Sequence, residues 1–341
     1  VDEGNEIKVM NIDNPQNPSV VSSSYFGVPN VGDSDYDLLN FSVCDDCQYG
    51  IAAYKGATVL FDLGTGSVPQ FVANDKNSSA ILVNGGFTFK IGAQQYLVAS
   101  SLGSSPCTNN VSGLYLFNDY HEDSLNRIQC LEGTPLAPKL VNGLRLPGVG
   151  ASPATFYMAE GGDRFHIYQF NSSTTRLDYA GNGGIERANM ARGYGIGVDA
   201  EAGLAAVAEF GLSGNTLKVY DIGWGNGNPV NLIEIASVPL SIQTQGNAIA
   251  LRYPIIHVGE QNDPTQPQTF DITTPTNPIP LDQDFWDPSH SWNALGNCMW
   301  NQQAIFSANG QALFLSRYSA LQIIDPTGCM IPASPVANLT V

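Results

Sequence analysis

Residues 7–22 read Ile7-Lys-Val-Met-Asn-Ile-Asp13, then Asn14-Pro15-Gln-Asn-Pro18, then Ser19-Val-Val-Ser22. An apolar run of strand length ends in Asp, a turn bearing two prolines reverses the chain, and a second strand-like run begins. Asp suits such a corner because its side chain accepts bonds from backbone N–H groups two residues on. The same order of events recurs at Thr58–Asp62, Leu114–Asn118, His166–Asn171, Leu217–Asp221, Gln268–Asp271 and Leu321–Asp325. From Asp13 onward, these terminal Asp or Asn residues are 49 to 56 residues apart. A period near 50 residues is the mark of a repeat architecture. The turn also repeats: Thr274-Pro275-Thr-Asn-Pro278 precedes Ile279-Pro-Leu281, and Asn226-Gly-Asn-Pro229 precedes Val230–Ile235.

Between these hairpins lie further strand pairs. Gly193–Asp199 turns at 200–203 into Leu204–Glu209, and Gly246–Leu251 is followed by Ile255–Glu260. Gln303–Ala308 and Ala312–Ser316 flank Asn309-Gly310, a strong hairpin signal. The first strand of each pair is small and apolar, as a crowded strand buried on both faces must be. Four antiparallel strands per repeat make one propeller blade. No helical 3.6-residue period persists over a long window. The expected fold is all-β. It is a single β-propeller domain over residues 1–341, with six full four-stranded blades from about Leu38 to Ala333 and a partial seventh. Segments 1–26 (a hairpin) and 334–341 (one strand) are expected to close the ring or to mediate assembly, since an incomplete blade leaves an edge open to strand addition.

Strand–Asp–Ile–x–x–Pro–x–x–Pro followed by an outer strand resembles the LVIVD-type repeat of secreted β-propellers. Lys8–Asp13 with Asn14–Pro18 carries the resemblance best, followed by Phe270–Pro278 and Val219–Ile222. It implies an extracellular propeller more than it implies any chemistry. Asn118 and Asn171 depart from the Asp, and Pro326 follows Asp325 directly. Other propeller signatures are missing: there is no Trp-Asp strand end and no Ser-x-Asp-x-Gly-x-x-Trp box. The paired glycines at 85–86, 161–162 and 183–184 miss the period that kelch blades require.

The 341 residues carry a net charge of −17, from 14 basic and 31 acidic side chains. Such a chain repels phosphate backbones and anionic lipid, so neither nucleic acid nor a membrane surface is an expected partner. Charged residues are only 13%, about half the usual ~25%, while 43% hydrophobics exclude a disordered acidic tail. No run approaches a membrane-spanning length. Starting at Val1 without a basic or apolar leader, the chain reads as a processed form.

Six cysteines and five Asn-x-Ser/Thr sequons point to a secreted, N-glycosylated protein, since one oxidising compartment supplies both modifications. Glycans are expected on Asn40, Asn77, Asn110, Asn171 and Asn338; Asn40 reads as part of a strand, where an inward-facing side chain would escape modification. Sequence proximity within a blade pairs Cys44 with Cys47, Cys107 with Cys130, and Cys298 with Cys329. Cys44-Asp-Asp-Cys47 is not a redox motif, because adjacent carboxylates raise a thiol pKa and no strand-to-helix context exists.

Sites for chemistry are few. Asp33, Asp35 and Asp37 resemble the start of a calcium loop, but the central Gly is missing and Cys44 stands where an EF-hand needs Glu. An irregular Ca2+ loop stays open there, against the commoner solvated acidic turn; no other cofactor is expected. Asp282–Asp287 is a fainter version, and Asp119–Asp123 reads as a polar loop. His166 and His257 lie in strands of different repeats, and His121 and His290 lie elsewhere; no third metal ligand accompanies them. No Gly-x-Ser-x-Gly elbow and no phosphate loop is present.

Three functional readings result. The preferred one is a structural or adhesive extracellular propeller, not an enzyme, that associates with itself or with other extracellular proteins, as in a filament or surface assembly. The second is a hydrolase or lactonase-like propeller with a metal or carboxylate site at the channel mouth, since one fold hosts many chemistries. The third is a carbohydrate-binding propeller using Trp224, Trp286, Trp292 and Trp300, residues that otherwise serve as packing between blades.

Overall fold

Among the described residues, seven antiparallel sheets are built from strands taken in chain order. The computed structural model describes those strands, the turns at 172–175, 201–203, 253–254 and 272–278, and flanking residues 222 and 281. Among the described residues there is no helix. The chain divides into two compact units.

The first unit comprises Val1–Asn11, Ser19–Gly162 and His166–Ala180. It opens with a two-stranded sheet, β1 (Glu6–Asn11) and β2 (Ser19–Tyr25). A four-stranded sheet follows: β3 (Leu38–Val43), β4 (Tyr49–Tyr54), β5 (Ala57–Asp62) and β6 (Gln70–Lys76). The next holds β7 (Leu82–Ile91), β8 (Gln94–Leu102), β9 (Gly113–His121) and β10 (Ser124–Glu132). The last holds β11 (Pro138–Gly143), β12 (Thr155–Glu160), β13 (Phe165–Asn171) and β14 (Arg176–Gly181). Strands β3 and β4 lie against β7, and β7 and β8 lie against β11, so each sheet meets the next through its first strands. Tyr96 of β8 stacks obliquely on Phe170 of β13, with ring centroids 4.7 Å apart.

The second unit comprises Ile12–Pro18, Asp163–Phe165 and Gly181–Val341. Its first sheet is β15 (Gly193–Asp199), β16 (Leu204–Gly211), β17 (Gly214–Asp221) and β18 (Ile233–Leu240). Its second is β19 (Ala248–Arg252), β20 (Ile255–Gly259), β21 (Gln268–Asp271) and β22 (Ile279–Pro280). Its third has three strands, β23 (Gln303–Phe306), β24 (Leu313–Arg317) and β25 (Ala320–Ile324). Here the first strands β15, β19 and β23 lie side by side.

The core of this second unit fills the space between its first two sheets. Leu204, Ala206, Ala208, Leu217, Val219 and Leu240 face Ile249, Leu251, Ile256, Val258, Phe270 and Ile272. Removing a side chain of this size from water contributes about 1.5–3 kcal/mol, which is why the apolar runs settle here. Residues 204–208 of β16 are buried on both faces, as their unbroken apolar run requires. The outer strand β18 is exposed or half-covered from Ile233 to Pro239 and buries only its last residue, Leu240. Gly197 shows how tightly the first strands approach: a Cβ there would sit 2.9 Å from Ile249 Cγ2 and 3.1 Å from the Leu251 backbone nitrogen.

One detail recurs in four sheets. Where the third strand meets the fourth, the outer strand carries one extra residue two positions before the third strand ends its repeat. That residue is Val21 in β2, Val72 in β6, Ile128 in β10 and Ile235 in β18. A bulge bends the outer strand and sharpens its twist. The shared register aligns Asn11, Asp62, Asn118 and Asp221. Asp13, the expected strand end of the first repeat, lies outside the described residues; β1 is described to Asn11. Strand β9 also runs past Asn118 to His121. Between Leu38 and Ile324 five sheets have four strands and one has three among the described residues.

Candidate functional site

The chemistry-bearing side chains that are described gather at the corners where strands end. Asp271 Oδ1 accepts from Thr273 N at 2.7 Å and from Thr273 Oγ1 at 2.6 Å. Asn171 Oδ1 accepts from Ser173 N at 3.0 Å and Thr174 N at 3.3 Å, while its Nδ2 donates to Asp178 Oδ2 at 2.8 Å. Both are the Asx arrangement expected of a strand-closing Asp or Asn. In two described corners of the second unit a backbone bond ties the strand end down. Ile222 N donates to Gly203 O at 2.9 Å, and Ile272 N donates to Pro254 O at 2.7 Å. The residue after the third strand is thereby clipped to the turn between the first two. Gly203 has φ 70, a left-handed conformation that glycine adopts without cost.

Asp199 joins two sheets of the second unit. It closes β15 with its side chain almost fully buried, and Oδ1 accepts from Ala202 N at 3.0 Å. Oδ2 accepts from Tyr253 N at 2.8 Å, in the turn between β19 and β20. Arg252 Nη1 lies 4.0 Å from Asp199 Oδ1, and its Nη2 lies 3.1 Å from Glu201 Oε2. A buried carboxylate with two backbone donors and a guanidinium nearby is compensated for its burial. In the first unit Gln129 of β10 does comparable work on β14. Its Nε2 donates to Leu177 O at 2.9 Å and its Oε1 accepts from Leu177 N at 2.6 Å. Neither Asp199 nor Gln129 was singled out in the sequence. Only the Asp at the end of a first strand hinted at the former.

His257 is buried in β20, where its Nδ1 shares a hydrogen bond of 3.1 Å with Thr269 Oγ1. That arrangement is a core histidine held by its neighbouring strand. His166 lies in β13, in the other unit, and His121 ends β9. Among the described residues no group of three or more His, Cys, Asp or Glu is placed to hold a metal ion. Burial raises the Tyr96 phenol above its ordinary 10.0. Its contribution to stability is therefore complete below that value and is lost as pH rises through the raised pKa.

Asp33, Asp35, Asp37, Cys44, Cys47, Cys107, Cys298 and Cys329 lie outside the described residues, as do Asn77, Asn110, Asn338, His290 and the four Trp. Cys130 stands in β10 opposite Tyr115, and Asn40 in β3 opposite Ala53. Of the sequon residues, Asn171 has its side chain described: half-exposed, in the turn to β14.

No family model and no curated protein matches the chain. Solved structures do. The periplasmic gluconolactonase PpgL of Pseudomonas aeruginosa is 12% identical with a TM-score of 0.63, covering 99% of this chain and 92% of its own. Sqt1 of Saccharomyces cerevisiae is 9% identical with a TM-score of 0.58, covering 98% and 79%. The WD40 repeats of RRP9 are 10% identical with a TM-score of 0.59, covering 95% and 88%. At these identities the likeness is one of fold: antiparallel four-stranded blades of the β-propeller kind.

Proposed function

We propose that this chain is a secreted, N-glycosylated and disulfide-containing β-propeller with six blades and the outer half of a seventh, and that it serves as a structural or adhesive subunit of an extracellular assembly. The observation that carries the reading is the hairpin β1–β2. It reproduces the third and fourth strands of a blade, bulge included, and among the described residues no inner strand pairs with it. A lone hairpin is marginal in water, so it needs a neighbour. The inner positions of that blade are filled either by the segment 334–341 or by another subunit. Five sequons and six cysteines supply the extracellular setting. The site chemistry supports a scaffold: Asp199, Gln129 and the strand-end Asp and Asn residues spend their polar atoms on backbone groups of the fold itself.

Electron microscopy of native material, with intact mass before and after glycosidase treatment, tests this. The expected result is an ordered assembly of subunits that lose mass on treatment. Monomeric, unglycosylated protein overturns the proposal. So does efficient hydrolysis of a sugar lactone by the purified chain, which would put a catalytic site where a scaffold is proposed.

A further inference from the structure

The turn from β21 to β22 is the described turn in which threonine and proline occur together: Asp271-Ile-Thr273-Thr274-Pro275-Thr276-Asn-Pro278-Ile-Pro280. Proline lacks an N–H, so a run holding three of them is poor material for a ladder. Pairing between the two strands accordingly stops where Asp271 meets Ile279. The segment between them stands as a turn, closed by Asn277 N donating to Thr274 O at 2.8 Å. Pro275 and Pro278 are buried and seat the turn, while Thr273, Thr274, Thr276 and Asn277 are exposed. The threonines differ in what engages their hydroxyls. Thr269, in β21, is buried and shares a bond of 3.1 Å with His257 Nδ1. Thr273 Oγ1 donates to Asp271 Oδ1 at 2.6 Å, and the Thr273 carbonyl accepts from Tyr253 Oη at 3.1 Å. Among the described residues no such bond holds the hydroxyls of the exposed Thr274 and Thr276.

We propose that Thr274 and Thr276 are O-glycosylation sites, each accepting a hexose or N-acetylhexosamine from a phosphate-activated sugar. The inference rests on the extracellular reading above and goes beyond its Asn-linked glycans. Hydroxyl side chains interleaved with proline are the composition of O-glycosylated segments. A transferase must hold its acceptor in one conformation, and a turn fixed by two seated prolines enters such a groove with little further ordering. In the transfer, the threonine Oγ1 attacks the anomeric carbon of the sugar. The new C–O bond forms as the bond from that carbon to the phosphate oxygen breaks, the phosphate leaves with the electron pair, and the hydroxyl proton passes to a base of the transferase. Charge favours sugar over phosphate as the modifying group. Residues 271–281 include Asp271 and no lysine or arginine, in a chain of net charge −17. A phosphoryl group on this turn would meet repulsion and find no cation of the turn to hold it, whereas a neutral sugar meets no such penalty. The turn runs straight into the outer strand β22, whose Ile279 is 54% exposed, so sugar here also guards a short strand edge against unwanted pairing.

A tryptic map of the native chain tests the proposal. The peptide Tyr253–Arg317 holds the whole turn and contains no Asn-x-Ser/Thr sequon, so sugar on it is O-linked. The peptide is expected to be heavier than its sequence by whole hexose or N-acetylhexosamine units. Electron-transfer fragmentation should place them on Thr274 or Thr276 and leave Thr273 bare. In a T274A/T276A variant secreted by the same cells the added mass should vanish, and in T273A it should remain. The map of the native chain decides the matter by itself should a variant fail to be secreted. An unmodified peptide, sugar on Thr273 in place of its neighbours, or phosphate in place of sugar overturns the proposal. Mass lost elsewhere on N-glycosidase treatment then leaves the extracellular reading standing, while a chain without any glycan removes both.

Discussion

In β17–β18 the strand-closing Asp221 is 7% exposed, and the bulge residue Ile235 packs against the core. In β1–β2 Asn11 occupies the same register position and is exposed, and Val21 occupies the same bulge and is half-exposed. The pairings run in parallel: Lys218 opposite Ser237 and Tyr220 opposite Glu234 in one, Lys8 opposite Ser23 and Met10 opposite Val20 in the other. What the two hairpins share is therefore written into the local sequence, in strand periodicity, Asp or Asn at the corner and a β-branched residue at the bulge. What separates them is the neighbour. Strand β16 lies along the inner side of β17, and β1 has no such companion among the described residues. Pairing and burial are thus separable properties of this repeat, and substitutions at matched positions measure them apart.

The largest effect is expected at the first matched position. Leu217→Ala, at a fully buried site, should cost about 2–5 kcal/mol in urea unfolding. Ile7→Ala, at the register-matched position of β1, measures the cover of that strand directly: a cost equal to that of Leu217→Ala would mean that the hairpin is covered as fully as β17. Next is Asp199→Ala, which strands the N–H groups of Ala202 and Tyr253 and should cost about 1–3 kcal/mol. A loss near zero would show that water or Glu201 replaces the carboxylate at the junction of the two sheets. Asp271→Ala removes the acceptor of Thr273 and should cost about 1 kcal/mol. Smallest is Val21→Ala, which should stay within about 0.5 kcal/mol in the monomer, while Ile235→Ala exceeds it. Equal losses at the two bulges would erase the difference in cover.

The repeat was legible in the sequence because its corners depend on short-range chemistry. Asp271 and Asn171 bond the backbone two residues on, so the residue type announces the turn. The small inner strands were legible because Gly197 leaves no room for a Cβ beside Ile249. The junction residues were not legible. Asp199 meets Tyr253 across 54 positions and Gln129 meets Leu177 across 48, and no periodicity links such pairs in the linear chain. The pairing of buried Lys218 with exposed Glu234 was likewise silent, because a lysine in a strand ordinarily faces solvent.

The clip from Ile222 N to Gly203 O, repeated from Ile272 N to Pro254 O, determines where mechanical load goes. When an outer strand such as β18 is pulled away, tension travels back along the connecting loop toward the end of β17. It meets Ile222 first. That residue is fastened to the turn between β15 and β16, so the force passes into the inner strands and bypasses the ladder that binds β17. The clip works as strain relief does on a cable. A blade loaded from outside is expected to give up its fourth strand before its third.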